Sequence, residues 1–443
     1  MRKGSMSFPS ANSRAPVIII GAGLAGLTAG RALGAAGEDY LIVEALDRPG
    51  GLCRTEVVDG FTFDYTGHLL HLREGASKDL ILELVGDRLV EHIRKASVYV
   101  EGVFVDYPIQ AHFRKLPAPF PERCLEELLN AADEEVSEEL SFDQWAVKRF
   151  GKTLAGLFML PYNSKLYVHP LEEMEISWTS WSVPVPTARE LRGIGQGEDP
   201  PAYGYNTTFF YPEDEGIEIL PRSLVRGQES RIRTGTRVIH VNAVDRRVTL
   251  QNGEDLAFSS LISTIPLPDL LRITKGLPGA LAEAAGRLRH SSVLGVCIGL
   301  DGPVLVPDHW IYFPDEGLPF YRMGFPTNFS DRLAPEGCSS IYAEVAWSNG
   351  SSPDAENVAE KVLETLVTTG LIDPSTGISA RIDLAIPCAY VFHDMFRARN
   401  INPILESLGE KSIRSVGRYG AWEYSAMQDA VEWGLSTARE VLK

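Results

Sequence analysis

The sequence predicts an α/β protein in which one parallel sheet is assembled from separated parts of the chain. A run of four aliphatic residues, Val17–Ile20, is typical of a buried parallel strand and is followed at once by a glycine-rich turn. A second short apolar strand is predicted at Tyr40–Val43, and a last one at Ser412–Val416. Because two long stretches of different character separate these strands, we expect one discontinuous domain with two insertions.

The glycines after the first strand have the spacing of a dinucleotide-binding turn. Gly21, Gly23 and Gly26 form a G-x-G-x-x-G pattern, and helix-forming residues follow from Leu24 to Leu33. The first glycine permits the tight turn, the second lets the backbone approach a pyrophosphate, and the third brings the helix close to the strand. The unpaired N–H groups at the helix start would face the pyrophosphate. The motif therefore predicts a Rossmann-like nucleotide-binding domain.

Glu44, at the end of the second predicted strand, strengthens this interpretation. A carboxylate there accepts hydrogen bonds from a ribose 2′-hydroxyl and repels a 2′-phosphate. The alternatives are a helix start without any ligand, and a transmembrane or signal segment, since Val17–Ala36 is largely apolar. Arg31 and the glycines within that segment argue against the second alternative, so no transmembrane segment is expected.

The composition limits the functional classes. The chain has 443 residues, 44% of them hydrophobic, and a formal net charge of −17. This length supports more than one domain, and this charge disfavours nucleic acid and anionic membranes as partners. The five cysteines have no C-x-x-C spacing, which indicates a reducing compartment and argues against disulfides and zinc. We therefore expect a cytoplasmic protein without a metal site, and the sequence leaves its oligomeric state open.

The chain divides into a tail, a discontinuous domain and two inserted regions. Residues 1–15 are polar and unpatterned, and we expect a flexible tail there. Residues 94–225 show helical patterns broken by proline-rich connections and are predicted to be a helical substrate region. Residues 276–404 show strand patterns and are predicted to be a mixed, antiparallel-sheet substrate region. The nucleotide-binding domain is predicted to comprise residues 16–93, 226–275 and 405–443.

This layout favours a flavin over a nicotinamide. A nicotinamide-binding domain normally completes its sheet in one continuous run, whereas this chain returns to the domain late, at a Gly-Arg turn before a C-terminal helix. That arrangement suits an extended FAD, whose adenine would meet backbone groups near Val238. The helix start at Met427 and Gln428 would face the flavin, where its N–H groups stabilise negative charge on the reduced ring.

Several stretches resemble FAD-dependent enzymes of the amine oxidase and protoporphyrinogen oxidase-like superfamily. They are "RPGGLCRTE", "GHLLH", "STIPL" and "GRYGAWEY". Longer stretches narrow the resemblance to UDP-galactopyranose mutases of the eukaryotic-type branch, namely "VDYPIQ", "FDQWAVKRFGKTLAGLFMLPYNSKLYVHP", "HWIYFPDEGLPFYR" and "VGRYGAWEYSAMQD". The resemblance runs in consistent order from about Val17 to the end of the chain.

The resemblance implies an isomerase that converts a nucleotide-activated pyranose into its furanose without net redox change. FAD would first have to be reduced, with NAD(P)H or another reductant as electron donor. Flavin N5 would then attack the anomeric carbon, displace the nucleoside diphosphate and let the sugar ring open and reclose. The alternative is a net FAD-dependent oxidase or dehydrogenase of the amine oxidase or protoporphyrinogen oxidase type.

The resemblance also implies roles for individual residues. Arg322 would hold the substrate diphosphate beside the flavin, and it would act in catalysis together with His68, which lies in the loop that touches the flavin ring. Tyr390 and Tyr424 would hydrogen-bond the same diphosphate. The remaining substrate contacts would come from Tyr107, Gln110, Asn163, Trp178 and Trp310. The remaining FAD contacts would come from Ala45, Gly51, Leu52, Gly67, Gly417, Arg418 and again Tyr424.

These residues also have structural interpretations. Arg322 and Arg418 could form ion pairs, the tyrosines could pack in the core, and Asn163 could cap a helix. The Gly-His loop and the segment from the Y-P-x-Q motif could be ordinary turns. Arg94 and Lys95 are candidate cations near the flavin or substrate, or else a solvated charge pair.

Two positions depart from the family pattern. Ser182 stands where the family has a second diphosphate-binding arginine, and Phe329 stands where it usually has a tyrosine. Loss of one charge-assisted phosphate contact costs roughly 1.5–3 kcal/mol of binding free energy. Arg189 or Arg192 would have to reach back to replace it. Both changes are expected to remove polar contacts from the phosphate region, so the sugar and the nucleotide stay open.

Overall fold

The structure is a computed structural model of the chain. It leaves out the side chains of residues 181 and 182, and the predicted tail at 1–15 lies outside the described residues except for its last one. The structure describes residues 15–132, 134–201, 203–204, 207–348, 350 and 352–443.

Strands and helices alternate along the chain. The strands are β1 Val17–Ile20, β2 Tyr40–Val43, β3 Thr55–Val58, β4 Phe61–Asp64, β5 Leu89–Ile93, β6 Ala96–Val100, β7 Val103–Asp106, β8 Thr208–Pro212, β9 Ile232–Arg233, β10 Val238–Asn242, β11 Arg247–Leu250, β12 Asp255–Ala257, β13 Leu261–Ser263, β14 Thr274–Lys275, β15 His290–Asp301, β16 Trp310–Tyr312, β17 Arg322–Gly324, β18 Ser339–Trp347, β19 Gly377–Val391 and β20 Ile413–Ser415. The helices are α1 Leu24–Ala35, α2 Ala76–Val85, α3 Ile109–His112, α4 Phe120–Ala132, α5 Phe142–Leu154, α6 Leu160–Tyr167, α7 Thr179–Ser182, α8 Ala188–Gln196, α9 Ile219–Val225, α10 Leu267–Ile273, α11 Gly279–Ala284, α12 Ala355–Thr368, α13 Met395–Gly409, α14 Gly417–Gly420 and α15 Met427–Val441.

A five-stranded parallel sheet brings distant parts of the chain together. Its order is β20-β13-β1-β2-β9, and every neighbouring pair is parallel. β1 is buried at all four residues, as an aliphatic strand in the middle of a parallel sheet should be. In register, Ile18 pairs with Leu261, which pairs with Ile413. This sheet confirms the α/β class and its assembly from separated segments.

A second sheet and the predicted C-terminal helix complete this part of the fold. The sheet has the order β12-β11-β10-β14, and between β12 and β14 the chain passes through the parallel sheet at β13. The last helix, α15, packs across α1. Gly434 allows this close crossing, because a Cβ there would lie 2.6 Å from the carbonyl oxygen of Ala25. The end of the chain is therefore held against the glycine turn at its beginning.

A seven-stranded sheet forms the other half of the molecule. Its order is β19-β15-β18-β17-β16-β6-β7, with all neighbours antiparallel except β16 and β6. The strand patterns in residues 276–404 are confirmed and extend further than the sequence indicated. β6 and β7 come from the region predicted to be helical. Positive φ angles at Glu101 and Gly102, 53° and 75°, close them into a tight hairpin.

The helices of residues 94–225 pack against one face of this sheet through a large aromatic core. One helix of this region, α5, is kinked at Gly151, which has a φ of 76°. A π-helical turn, Ala155–Met159, then leads into α6. The domain boundaries themselves stay a prediction.

Candidate active site

A cavity of about 1110 Å³ extends from the glycine turn to the seven-stranded sheet. At the glycine end, Glu44 is 7% exposed, and its two carboxylate oxygens accept hydrogen bonds from the backbone N–H groups of Ala22 and Leu46, at 2.7 and 2.9 Å. These bonds fix the carboxylate at the edge of the cavity and leave lone pairs for a ribose hydroxyl. The geometry suits the ribose contact that the sequence predicts.

The N-terminus of α1 opens onto the same part of the cavity. Gly23 is the N-cap, and the first turn of α1 contains no acidic side chain. Gly51 faces it so closely that a Cβ on Gly51 would lie 3.2 Å from the Cα of Gly23. Two bare backbone segments and a positive helix end therefore form a cradle of the kind that binds a pyrophosphate. The residues present fit an FAD.

Most of the residues predicted to bind FAD line this cavity. Three do not line it. Gly26 instead packs α1 on its own turn, because a Cβ there would lie 2.0 Å from the carbonyl oxygen of Gly21. Val238 points into the core beside β11, and Gln428 hydrogen-bonds the backbone of Arg73. The predicted residues that do line it are Gly21, Gly23, Glu44, Ala45, Gly51, Leu52, Gly67, His68, Gly417, Arg418, Tyr424 and Met427.

The side chains of Val238 and Gln428 thus point away from the cavity, whereas the expected contacts through backbone groups near Val238 and through the N–H groups at the start of α15 stay predictions. Arg237, the neighbour of Val238, lines the cavity instead, because alternate strand residues point to opposite faces. Met427 and Asp429 line it on either side of Gln428.

All the residues predicted to bind substrate line the cavity. They are Tyr107, Gln110, Asn163, Trp178, Trp310, Arg322, Tyr390 and Tyr424. The sequence analysis did not single out the other aromatic residues that line the cavity, which include Phe142, Phe158, Tyr162, Tyr167, Tyr312 and Tyr342. The sequence held a signal for one of them. Tyr312 lies two residues after Trp310 on β16, so the two side chains share a face of the strand.

Arg322 is held by a buried carboxylate that the sequence analysis missed. Its Nε donates to Oε1 of Glu344 at 3.0 Å, and its Nη2 donates to both oxygens at 2.6 and 2.8 Å. The hydroxyl of Tyr321 also donates to Glu344. Burial alone would lower the pKa of Arg322, but the Glu344 charge outweighs it and raises that pKa. The guanidinium is thus fixed in orientation and permanently charged.

Arg418 lies among three tyrosine rings. The rings of Tyr390 and Tyr424 stack with centroids 6.2 Å apart, and the guanidinium carbon of Arg418 lies 5.5 and 4.6 Å from those centroids. Arg418 donates to the carbonyl oxygens of Ser425 and Ala389, at 2.6 and 3.2 Å. Burial raises the pKa of Tyr390 to about 12, so its phenol stays a hydrogen-bond donor. This cluster suits an anionic guest.

Gln110 and Tyr107 are two of the predicted substrate contacts that line the cavity. The side-chain amide of Gln110 donates to the carbonyl oxygen of Pro184 at 2.7 Å, and its Oε1 is buried without a partner among the described residues. Arg94 does not line the cavity. It supports Tyr107, with its guanidinium 5.1 Å from the ring centroid. Lys95 lies outside the lining as well.

The departures from the family pattern have different outcomes. Phe329 lies outside the large cavity and packs against Phe209 and Tyr211, with ring centroids 5.9 and 4.7 Å away. The expectation that this position removes a polar contact from the phosphate region is therefore wrong, because its side chain points into the core. Exposed Arg189 and Arg192 do not line the cavity either. The side chain at Ser182 lies outside the described residues.

His68 is expected to oppose folding in mild acid. Burial lowers the pKa of His68 to about 4, and the charges of Arg418 and Arg322 contribute. The unfolded chain binds this proton near pH 6.5 whereas the folded one does not, so the free energy of unfolding falls as the pH drops from 6.5 towards 4. In urea unfolding at a series of pH values, His68→Gln should show a weaker fall across this interval. His240→Gln is the matched control, and equal pH slopes for His68→Gln and the parent would contradict the prediction.

The fold and the site define a flavin-binding α/β protein with a second, aromatic-walled substrate region. The chain belongs to the family of flavin-containing amine oxidoreductases, whose sequence profile matches residues 24–442. No helix in the described part of the chain is long and apolar enough to cross a bilayer.

Solved structures support this assignment and add detail. The crystal structure of a reduced UDP-galactopyranose mutase is 28% identical and covers 97% of this chain and 95% of its own, with a TM-score of 0.90. Cyclohexylamine oxidase from Brevibacterium oxydans IH-35A covers 97% of this chain and 99% of its own, with a TM-score of 0.66 and 16% identity. The second likeness shows the fold alone.

Curated sequence relatives match only short stretches. The inactive all-trans-retinol 13,14-reductase of Danio rerio is 37% identical over 93 residues, which are 20% of this chain and 15% of that protein. The match to a second relative, from Methanothermococcus thermolithotrophicus, spans 52% of that protein's length. These short matches assign no activity to the chain, so its activity has to be argued from the residues of its own site.

Proposed function

We propose that this protein interconverts the pyranose and furanose forms of a nucleotide sugar, with reduced FAD as its cofactor, as a mutase of the eukaryotic-type branch. The observation that carries the proposal is the position of Arg322. Its Nη2 lies 3.5 Å from the hydroxyl of Tyr390 and 3.9 Å from where a Cβ on Gly67 would be, beside the loop predicted to touch the flavin. The solved mutase structure, similar over nearly the whole chain, supports the same reaction class.

The chain's own residues would bind and orient the substrate. Arg322, Tyr390 and Tyr424 supply a fixed cation and two phenol donors for a diphosphate. The aromatic walls exclude water from the sugar, and neutral His68 adds no charge near the ring. Reduced FAD supplies a nucleophilic nitrogen for the anomeric carbon. NAD(P)H or another reductant is the proposed electron donor.

The isomerisation itself is the direct test. The purified yellow protein, reduced with dithionite under argon, should convert UDP-galactofuranose into UDP-galactopyranose, followed by chromatography of the nucleotide sugars. The oxidised protein is the control and should be inactive, because the flavin nitrogen is then not nucleophilic. Peroxide release from amines by the oxidised protein, without isomerisation, would favour the net-oxidase alternative. A screen with dTDP and GDP sugars would identify a different nucleotide.

Gln110 is expected to select the base. Its amide orientation is fixed by the carbonyl of Pro184, so the unpaired Oε1 presents an acceptor that suits the imide N–H of uracil and not the bare N3 of cytosine. Gln110→Leu should weaken UDP binding by about tenfold or more, the scale of one lost hydrogen bond to a buried group. Calorimetry with UDP and CDP checks this. If UDP and CDP bind equally well to the parent protein, the assignment of Gln110 is wrong.

A further inference from the structure

A buried ionisable cluster lies just outside the cavity. His393 follows β19, and its side chain is 2% exposed. Its Nδ1 lies 3.5 Å from Oε1 of Glu175, and its Nε2 lies 3.9 Å from Oε1 of Glu423. The three residues come from three different parts of the chain: the helical region, the mixed-sheet region and the C-terminal segment between α14 and α15.

Each carboxylate belongs to a segment that supplies a wall of the cavity. The indole N–H of Trp178 donates to the carbonyl oxygen of Glu175 at 2.9 Å, and Trp178 lines the cavity. Glu423 lies between Trp422 and Tyr424, which both line the cavity from another side. The histidine therefore lies between the supports of two walls that no continuous element connects.

The protonation state of the His393 ring decides whether it can offer an N–H group to both carboxylates. A neutral imidazole has one N–H donor and one bare nitrogen, so one carboxylate would face a second acceptor. An imidazolium offers an N–H group to each. Both ring nitrogens of His393 and Oε1 of Glu175 are buried without a hydrogen-bond partner among the described residues, so the 3.5 and 3.9 Å distances to the carboxylates are charge contacts and not hydrogen bonds.

Among the acids of this cluster, Glu423 and Asp394 have guanidinium partners, whereas Glu175 is left to pair with His393. Arg397 donates to Glu423, and Arg289 pairs with Asp394 at 2.7 Å, so those acids already have guanidinium partners. Within the described part of the chain Glu175 has no arginine or lysine partner. Burial alone would raise its pKa, but the contacts with the imidazole and a nearby backbone N–H outweigh burial and lower it, which favours the carboxylate.

We propose that His393 is a positioning residue, held as an imidazolium between Glu175 and Glu423, that ties the Trp178 wall of the substrate cavity to the Tyr424 wall. When the ring loses one proton, it can donate to only one carboxylate, and the two walls are no longer joined. Ligand affinity is therefore expected to be lower when the ring is neutral than when it is an imidazolium. Only the choice of UDP as the probe rests on the proposed function.

The protonation state is tested first, without any ligand. The flavin-loaded protein is labelled with ¹⁵N-histidine, and His393→Gln assigns the ring signals by their loss. At pH 7 both ring nitrogens should carry protons, and Glu175→Gln should move the ring towards the neutral form. A neutral ring in the parent protein at pH 7 would overturn the proposal. If His393→Gln does not fold, Glu423→Gln, at a partly exposed site, assigns the signals by their shift.

The coupling to the cavity is tested by UDP binding between pH 6 and 9. The dissociation constant of the parent should rise with pH, while His393→Gln should bind up to about fivefold more weakly than the parent at pH 6, the scale of one lost charge contact, and show no such rise. KM should follow the dissociation constant with little change in kcat. His240→Gln, away from the cluster, should keep the parental profile. If UDP binding to His393→Gln keeps the parental pH profile, His393 is not coupled to the cavity. If the parent protein does not bind UDP, the proposed function is wrong, and the proposal for His393 is decided by the ¹⁵N-labelling result alone.

Discussion

Replacing Arg322 with alanine is expected to weaken nucleotide-sugar binding ten- to hundredfold and to destabilise the fold at the same time. The guanidinium is the fixed cation of the substrate end, and loss of its phosphate contact costs about 1.5–3 kcal/mol of binding free energy, a ten- to hundredfold change. The same substitution leaves the Glu344 carboxylate, whose side chain is 1% exposed, without its partner. An unpaired buried charge costs about 3–5 kcal/mol of unfolding free energy.

A double variant separates these two effects. Arg322→Met with Glu344→Gln removes both charges together, so it should recover most of the lost stability in urea unfolding and still fail to bind UDP in calorimetry. Arg381→Ala is the control, because Arg381 lies on the same seven-stranded sheet but pairs with Glu356 and Asp383, whose side chains are 81% and 33% exposed. If the single or the double variant binds UDP with the parental affinity, the substrate does not use Arg322.

Replacing Gly23 with alanine is expected to yield a folded protein that has lost its flavin. Gly23 has a φ of −79°, which alanine adopts without strain, and a Cβ there meets only the Cα of Gly51, at 3.9 Å. The polypeptide thus accepts the methyl group, which then occupies the cradle where the pyrophosphate would approach α1. A loss of flavin of about tenfold or more is expected, since each tenfold step requires only about 1.4 kcal/mol.

The ratio of flavin to protein absorbance measures this loss, and far-UV circular dichroism checks that the fold remains. Gly279→Ala is the matched control, because a Cβ at Gly279 meets no atom within 4 Å and lies away from the cavity. A Gly23→Ala protein that purifies with its full flavin content would show that the pyrophosphate does not pass this glycine.

The sequence alone could predict the FAD-binding end of the cavity because the residues that indicate it lie close together in the chain. The glycine turn and Glu44 are set by two neighbouring strands and one helix, so spacing along the chain maps directly onto space. The partner of Arg322 is different. Arg322 and Glu344 are direct register partners across β17 and β18, and that register depends on a turn and two short helical segments between the strands. No periodicity in the sequence shows which acid will face the arginine.

Phe329 and Val238 illustrate a second limit. Phe329 stands where the resemblance implies a polar contact, and Val238 lies on the strand expected to meet the adenine through its backbone. Both side chains point into the core, because a side chain's direction depends on local backbone geometry that spacing along the chain does not give. The sequence did not predict the hairpin of β6 and β7 for another reason. Its strands are short, and they join a sheet whose other members lie hundreds of residues away, so only the tertiary context distinguishes them from the helices that follow.

The crossing of α1 by α15 has a consequence for biosynthesis. β20, α14 and α15 supply an edge strand of the parallel sheet and part of the cavity wall, and they are translated after the other strands and helices of the fold. A nascent chain on the ribosome can form the glycine turn early, yet it cannot close the pocket until these three elements have emerged. A closed FAD site therefore requires α15 to reach α1.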